Sequence, residues 1–283
     1  MKNSTFVSAN RMMNTNKVNN ETYCVNINEN LIEQSIFDRP FNRSYNRTPF
    51  IPNDFHDIDG IFSIQSLGLI KRLTHIGCDK VVIGISGGLD STLALLVCIR
   101  AFDAMGIDRK GIIGITMPCF GTTKRTLNNS KELMECLGIT SYEIDITKAV
   151  EQHFKDIDHD PNKADITFEN CQARERTQVL MDMANKHNAI VIGTGDLSEL
   201  ALGWATYNGD HMSMYNVNVS IPKTLCIEMV RQSIITGYSY SAVKSIDDKV
   251  RDIISDICNT PISPELKPVD ENGELKQKTE NSI

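Results

Sequence analysis

Residues 81 to 105 constrain the fold more than any other part of this chain. They read VVIGISGGLDSTLALLVCIRAFDAM. Val81 to Ile85 is a short β-branched run suited to a strand buried on both faces, and Thr92 to Met105 is an apolar stretch of helical length. Only the turn Ser86 to Asp90, with its glycine pair, separates them. A buried strand that passes directly into a buried helix belongs to a parallel sheet with crossover helices. The same alternation continues downstream. Gly111 to Met117 is a strand, Thr123 to Leu137 a helix, Ser141 to Ile146 a strand, Phe168 to His187 a long amphipathic helix and Ala189 to Thr194 a further strand. The expected fold class is therefore α/β, a doubly wound parallel sheet with flanking helices, in which ligands sit beyond the carboxyl ends of the strands.

Around this unit the chain changes character. Residues 1 to 48 are polar, rich in Asn and Arg, and without a sustained period, which reads as a tail or linker. The punctuation that follows is Thr48, Pro49, Phe50, Ile51 and Pro52, whose two prolines hold an extended entry. Ile58, Ile61, Phe62, Leu67, Ile70 and Leu73 then recur at helical spacing up to a C-cap at Gly77. Beyond Trp204 the chain is polar and irregular to about Asn218, with helices expected over Thr224 to Ile235 and Ser241 to Ile257. From Ser263 onward it is charged and Pro-containing and reads as a flexible end. The expected domain is residues 49 to 262.

Composition excludes several function classes. A net charge of −7 gives no electrostatic footprint for nucleic acid or anionic membrane, and 6% aromatic residues with a single Trp argue against a base-stacking platform. No apolar stretch has the length of a membrane span. The eight cysteines form no C-x-x-C pair, and the six histidines show no i, i+4 pairing, which argues against a metal site built on either; His211, in the irregular segment, stands apart. A cytoplasmic protein acting on small molecules is expected.

The turn is an anion site by construction. Residues 84 to 92, GISGGLDST, lie where the unpaired N–H groups of a helix N-terminus point at whatever the turn holds. Gly87 and Gly88 let backbone amides approach a phosphate, Ser86, Ser91 and Thr92 add hydroxyl donors, and Asp90 is placed to hold Mg2+. The spacing is neither G-x-x-x-x-G-K-[ST] nor G-x-G-x-x-G, which argues against γ-phosphate transfer. The plainer reading is a tight strand-to-helix turn with ordinary first-turn residues.

SGGLDS resembles the pyrophosphate-binding loop of the ATP pyrophosphatase superfamily, whose members cleave ATP between the α and β phosphates. A second segment, GTGDLSELALGW at 193 to 204, resembles the synthetase domain of glutamine-dependent NAD synthetases. So do PFIP at 49 to 52, TFEN at 167 to 170, TYNGDHMSMYNVNVSIPKT at 206 to 224 and SPEL at 263 to 266. That resemblance implies an adenine nucleotide alpha hydrolase-like, Rossmann-like fold, and adenylylation of deamido-NAD followed by attack of ammonia. It further implies that Gly84, Ile85, Ser86, Gly87, Gly88, Leu89, Asp90 and Ser91 bind ATP together with Thr194 and Lys223. Asp90 and Glu199 become Mg2+ ligands, Asn170, Glu199 and Trp204 deamido-NAD contacts, and Asp90, Glu199 and Lys223 the catalytic set. It implies homo-oligomers as well. Residues 1 to 48 resemble at most the end of the family's nitrilase-like amidase domain, so ammonia is expected from solution or from a separate amidase, and the C-terminal segment reads as truncated.

Each residue also has a plainer role. Asn170 is a candidate helix cap, Trp204 a packing residue, Lys223 a solvated charge before a helix, and Glu199 a partner of a helix dipole. Asp196 is equally an N-cap or a ligand.

Overall fold

The computed structural model describes residues 46, 48–52, 54–237 and 247–260. Five parallel strands form one sheet in the order β3-β2-β1-β4-β5, with β1 at Val81–Gly84, β2 at Ile112–Thr116, β3 at Thr140–Glu143, β4 at Ile190–Gly193 and β5 at Tyr215–Asn216. Eight helices flank it among the described residues: α1 (Phe55–Ile76), α2 (Leu89–Met105), α3 (Lys124–Cys136), α4 (Thr147–Asp156), α5 (Ile166–His187), α6 (Leu197–Leu202), α7 (Lys223–Thr236) and α8 (Asp248–Cys258).

Side-chain alternation along the strands divides the interior into two cores. Val81, Ile83, Ile112, Ile190 and Ile192 face a core completed by α1, α2, α3, α7 and α8. Val82, Ile113, Ile115 and Val191 face the opposite core, closed by Val150 and Phe154 of α4 and Phe168, Cys171 and Ala184 of α5. The three central strands β1, β2 and β4 are almost wholly apolar because both of their faces are covered, whereas the edge strand β3 is polar and largely exposed. Each fully buried aliphatic side chain contributes about 1.5–3 kcal/mol relative to exposure, so the period-2 alternation fixes the register.

The path of the chain makes the ligand crevice. From β1 it passes through α2 to β2 and through α3 to β3, moving outward on one side. It then returns through α4 and α5, on the other face, to β4 on the far side of β1. The direction of winding thus reverses between β1 and β4, where an open α/β sheet leaves a gap at its carboxyl edge. Residues 85–88 and 194–196 lie at that edge.

The expected elements are present with four differences. α2 starts at Leu89 rather than Thr92, which puts Asp90 and Ser91 inside its first turn. α4 and β5 occupy segments that carried no strand or helix expectation. α8 runs over Asp248–Cys258, and the first residues of the helix expected from Ser241 lie outside the described residues. On α1 the buried face is Ile58, Phe62, Leu69 and Leu73, while Leu67 is exposed. The tail up to residue 45 and the segment from Ser263, including SPEL, also lie outside the described residues.

Candidate active site

The turn after β1 is shaped by two glycines used differently. Gly87 has φ +84°, and a Cβ on it would sit 2.3 Å from the Thr126 carbonyl oxygen of α3, so both conformation and space exclude a side chain. Gly88 is the N-cap of α2 and offers no side-chain acceptor, which leaves the first-turn amides of α2 to a ligand. The hydroxyls brace the loop. Ser86 Oγ accepts from Gly88 N at 3.1 Å and lies 3.1 Å from Ser91 Oγ, while Ser91 Oγ and Thr92 Oγ1 donate to the Gly88 carbonyl at 3.1 and 2.8 Å. Ile85 N donates to Ile115 O at 2.8 Å, which extends the β1–β2 pairing into the turn.

Lys223 ties this turn to the end of β4. It is the first residue of α7, after a Pro222 cap, so its position is inside the helix rather than before it. Its ammonium donates to Asp90 Oδ2 at 2.6 Å and to Glu199 Oε1 at 3.2 Å, with Asp196 Oδ2 3.1 Å away. Asp196 is completely buried and caps α6, accepting from Glu199 N at 2.8 Å, and Glu199 accepts in return from Asp196 N at 3.1 Å. This capping box fixes both carboxylates against the lysine. Asp196 is thus an N-cap that also neutralises Lys223. Its Oδ2 accepts no well-directed hydrogen bond and meets the ammonium by proximity alone.

The charge balance is lopsided. Three carboxylates face one ammonium, an excess of two negative charges in a half-buried crevice. Burial pushes the Asp90 carboxyl above its usual range against the pull of Lys223, and burial together with Asp90 does the same to Glu199. Burial opposes the Lys223 charge, yet Asp90 and Glu199 outweigh it and raise its pKa. Burial also pushes up the Cys226 thiol, which lies 3.6 Å from Asp90 Oδ1. Such an acidic excess beside an anion-binding turn suits a divalent cation. Among the described residues no three or more His, Cys, Asp or Glu side chains form a cage for a metal. Asp90 and Glu199 present carboxylate oxygens, the hard donors that a divalent cation takes.

The other expected contacts fall nearby. Thr194 directly follows β4, and its carbonyl accepts from Asn218 Nδ2 at 3.0 Å. Asn170 lies within α5, whose cap is Asp165, so it does not cap the helix. Its Oδ1 accepts from Thr206 Oγ1 at 2.8 Å. Trp204 follows the Gly203 cap of α6, is 36% exposed, and donates its amide to Glu199 O at 2.9 Å. His211 Nδ1 lies 2.8 Å from Thr206 O. Asn170 is thus joined to Thr206 in the loop beyond α6, and Trp204 to the α6 backbone at Glu199. A cavity of about 510 Å³, lined by His153, Cys171, Arg174, Met181, Asn208 and Met212 among others, opens beside α5 and shares no residue with the turn. Asn218 and Cys226 were not expected, because no local pattern marks a buried Asn or Cys as a partner of a residue 128 or 136 positions away.

Residues 62–235 match the family model described as NAD synthase. The chain belongs to the NAD synthase family. It is 43% identical over 250 residues to the glutamine-dependent NAD(+) synthetase of Mycobacterium leprae (strain TN), a match covering 85% of this chain and 36% of that protein. It is 34% identical over 156 residues to the NH(3)-dependent NAD(+) synthetase of Fusobacterium nucleatum, covering 55% of this chain and 57% of the relative. The solved structure of a glutamine-dependent NAD+ synthetase from Acinetobacter baumannii in complex with ADP superposes with a TM-score of 0.60 at 26% identity, over 69% of this chain and 35% of that one. This family member therefore spans about a third of the length of its glutamine-dependent relatives. Its matched region includes the turn, the β4 end and Lys223.

Proposed function

We propose that this chain forms NAD from deamido-NAD, ATP and ammonia. The observation that carries the reading is the Lys223 ammonium, held by the carboxylates of Asp90 in the first turn of α2 and of Asp196 and Glu199 at the start of α6, the helices that follow the central strands β1 and β4. In the first step a carboxylate oxygen of deamido-NAD attacks the α-phosphorus of ATP, and the bond to the β-phosphate oxygen breaks to release pyrophosphate. Ammonia then adds to the activated carbonyl, loses a proton, and AMP departs with the bonding electrons.

The chain's contribution is positioning and charge. Backbone amides around Gly87, Gly88 and Leu89, with the Ser86 and Ser91 hydroxyls, receive phosphate oxygens at the α2 N-terminus. Gly84 and Ile85 carry the loop, Thr194 lines the opposite lip, and Lys223 places a point charge on the departing phosphates. Asp90 and Glu199 would hold Mg2+, which when bound neutralises phosphate charge. Asn170, Glu199 and Trp204 form the side on which deamido-NAD enters. A fixed frame of this kind lowers the barrier by holding the reactants in line.

We further place the reaction in the cytoplasm, in keeping with seven free thiols among the described residues. No helix among them is long and apolar enough to cross a membrane. We take residues 49 to 262 as the synthetase domain, and propose that it works as a homo-oligomer, with ammonia supplied free or by an amidase.

Incubation of the purified chain with MgATP, deamido-NAD and ammonium should yield NAD and AMP in equal amounts. A folded chain that binds ATP and makes neither product would refute the reading.

A further inference from the structure

The site has a brace that none of the reacting groups requires chemically. Asn218 is completely buried, and its amide nitrogen donates one N–H to the Asp90 carbonyl at 2.9 Å and one to the Thr194 carbonyl at 3.0 Å. These two carbonyls stand on opposite lips of the crevice, one in the first turn of α2 and one just after β4. Neighbouring bonds fix the amide itself. Gln65 Nε2 of α1 donates to Asn218 Oδ1 at 3.3 Å and to the Val217 carbonyl at 2.8 Å. The Asn218 backbone amide donates to Asn216 Oδ1 at 2.9 Å, and Asn216 Nδ2 donates to the Gly195 carbonyl at 2.9 Å.

We propose that Asn218 is a positioning residue that sets the width of the nucleotide crevice by tying the Asp90 backbone to the Thr194 backbone. The chemistry of the side chain supports this role. A primary amide presents two N–H donors from one planar nitrogen, so a single residue can hold two carbonyls at a fixed separation. Aspartate has the same shape and no donor, and leucine has neither donor nor acceptor. The bond on Asp90 falls in the same residue whose carboxylate meets Lys223, while that on Thr194 lies two residues before Asp196. Asn218 therefore governs the distance between the two halves of the carboxylate cluster without touching substrate.

The inference rests on the nucleotide part of the proposed function, and binding and turnover test the two separately. ATP affinity in the presence of Mg2+ is measured by calorimetric titration for the wild type, Asn218→Leu and Gln65→Leu, each at a temperature well below its own melting point. Steady-state KM values for ATP and ammonium are measured alongside. Asn218→Leu should weaken ATP binding about tenfold or more and raise KM for ATP, with KM for ammonium unchanged. Gln65→Leu serves where the first variant does not fold, because it removes a side chain whose own Oε1 has no partner. It frees the Asn218 amide to rotate and should weaken ATP binding by a smaller, severalfold factor. ATP affinity within twofold of wild type in whichever of these variants folds would overturn the proposal, since a purely structural role lowers the melting point and leaves the folded site intact. Absence of NAD formation by the wild type counts against the proposed reaction alone, because the ratio of variant to wild-type ATP affinity does not depend on it.

Discussion

Asp90 carries a conflict between stability and use. Burial holds its carboxyl above the ordinary carboxylate range even though Lys223 is 2.6 Å away, so its ionisation costs the folded state free energy. The native chain thus takes up this proton before the unfolded chain does as pH falls. The stability that the group withholds at neutral pH is regained as pH drops through its raised value. Asp90→Asn keeps the shape and an acceptor for Lys223, which retains Asp196 and Glu199. The variant should melt at or above the wild-type temperature at pH 7, and the difference should vanish as pH falls toward 4. Its Mg2+-dependent ATP binding should weaken, with kcat/KM lower by roughly 100-fold. A lower melting temperature at neutral pH together with unchanged nucleotide affinity would remove Asp90 from the metal site. The sequence made Asp90, Glu199 and Lys223 legible as candidates because each sits in a recognisable segment. It did not reveal the bonds among them, since residues separated by 24 and 133 positions meet only once β1 and β4 are adjacent.

At the level of elements, α3 acts as a floor for the glycine turn after β1. Its first turn is capped by Thr123, whose Oγ1 accepts from Thr126 N at 3.2 Å, and the carbonyl of Thr126 lies against Gly87. Any side chain at 87 must both adopt φ +84° and displace that carbonyl. Gly87→Ala should therefore cost more than about 2 kcal/mol of stability and lower nucleotide affinity, as measured by denaturant unfolding and titration. An alanine variant of wild-type stability would show that α3 yields freely. The elements easiest to read were those with long periodic patterns, such as α5, or unbroken β-branched runs, such as β1. α4 escaped because its ten residues bury only Val150 and Phe154, one turn apart, and the rest of its surface is polar. β5 escaped because two residues carry no period, and its strand character comes from pairing with Ile192 and Gly193. The early start of α2 at Leu89 was hidden by the glycine cap, which looks like turn when read without the helix behind it.

For the molecule as a whole, the sign of the charge is the feature that the proposed binding of ATP least leads one to expect. The chain carries −7 overall, and within that total its crevice sets three carboxylates around one ammonium. ATP is itself a polyanion, so under the proposed function attraction at the turn would come from amides, Lys223 and a bound cation acting over a few ångströms. The net negative charge of the chain opposes it. Salt screens exposed charges beyond about 10 Å at 0.1 M and leaves short contacts in a half-buried crevice much less affected. With Mg2+ saturating, raising NaCl from about 20 mM to about 200 mM should therefore leave the affinity for ATP unchanged or improve it, because it mutes the repulsion more than the attraction. A site that relied on a positive surface field would respond in the opposite direction. A steep loss of affinity over the same range, read by titration, would show that long-range attraction rather than the local frame of turn, lysine and cation captures the nucleotide.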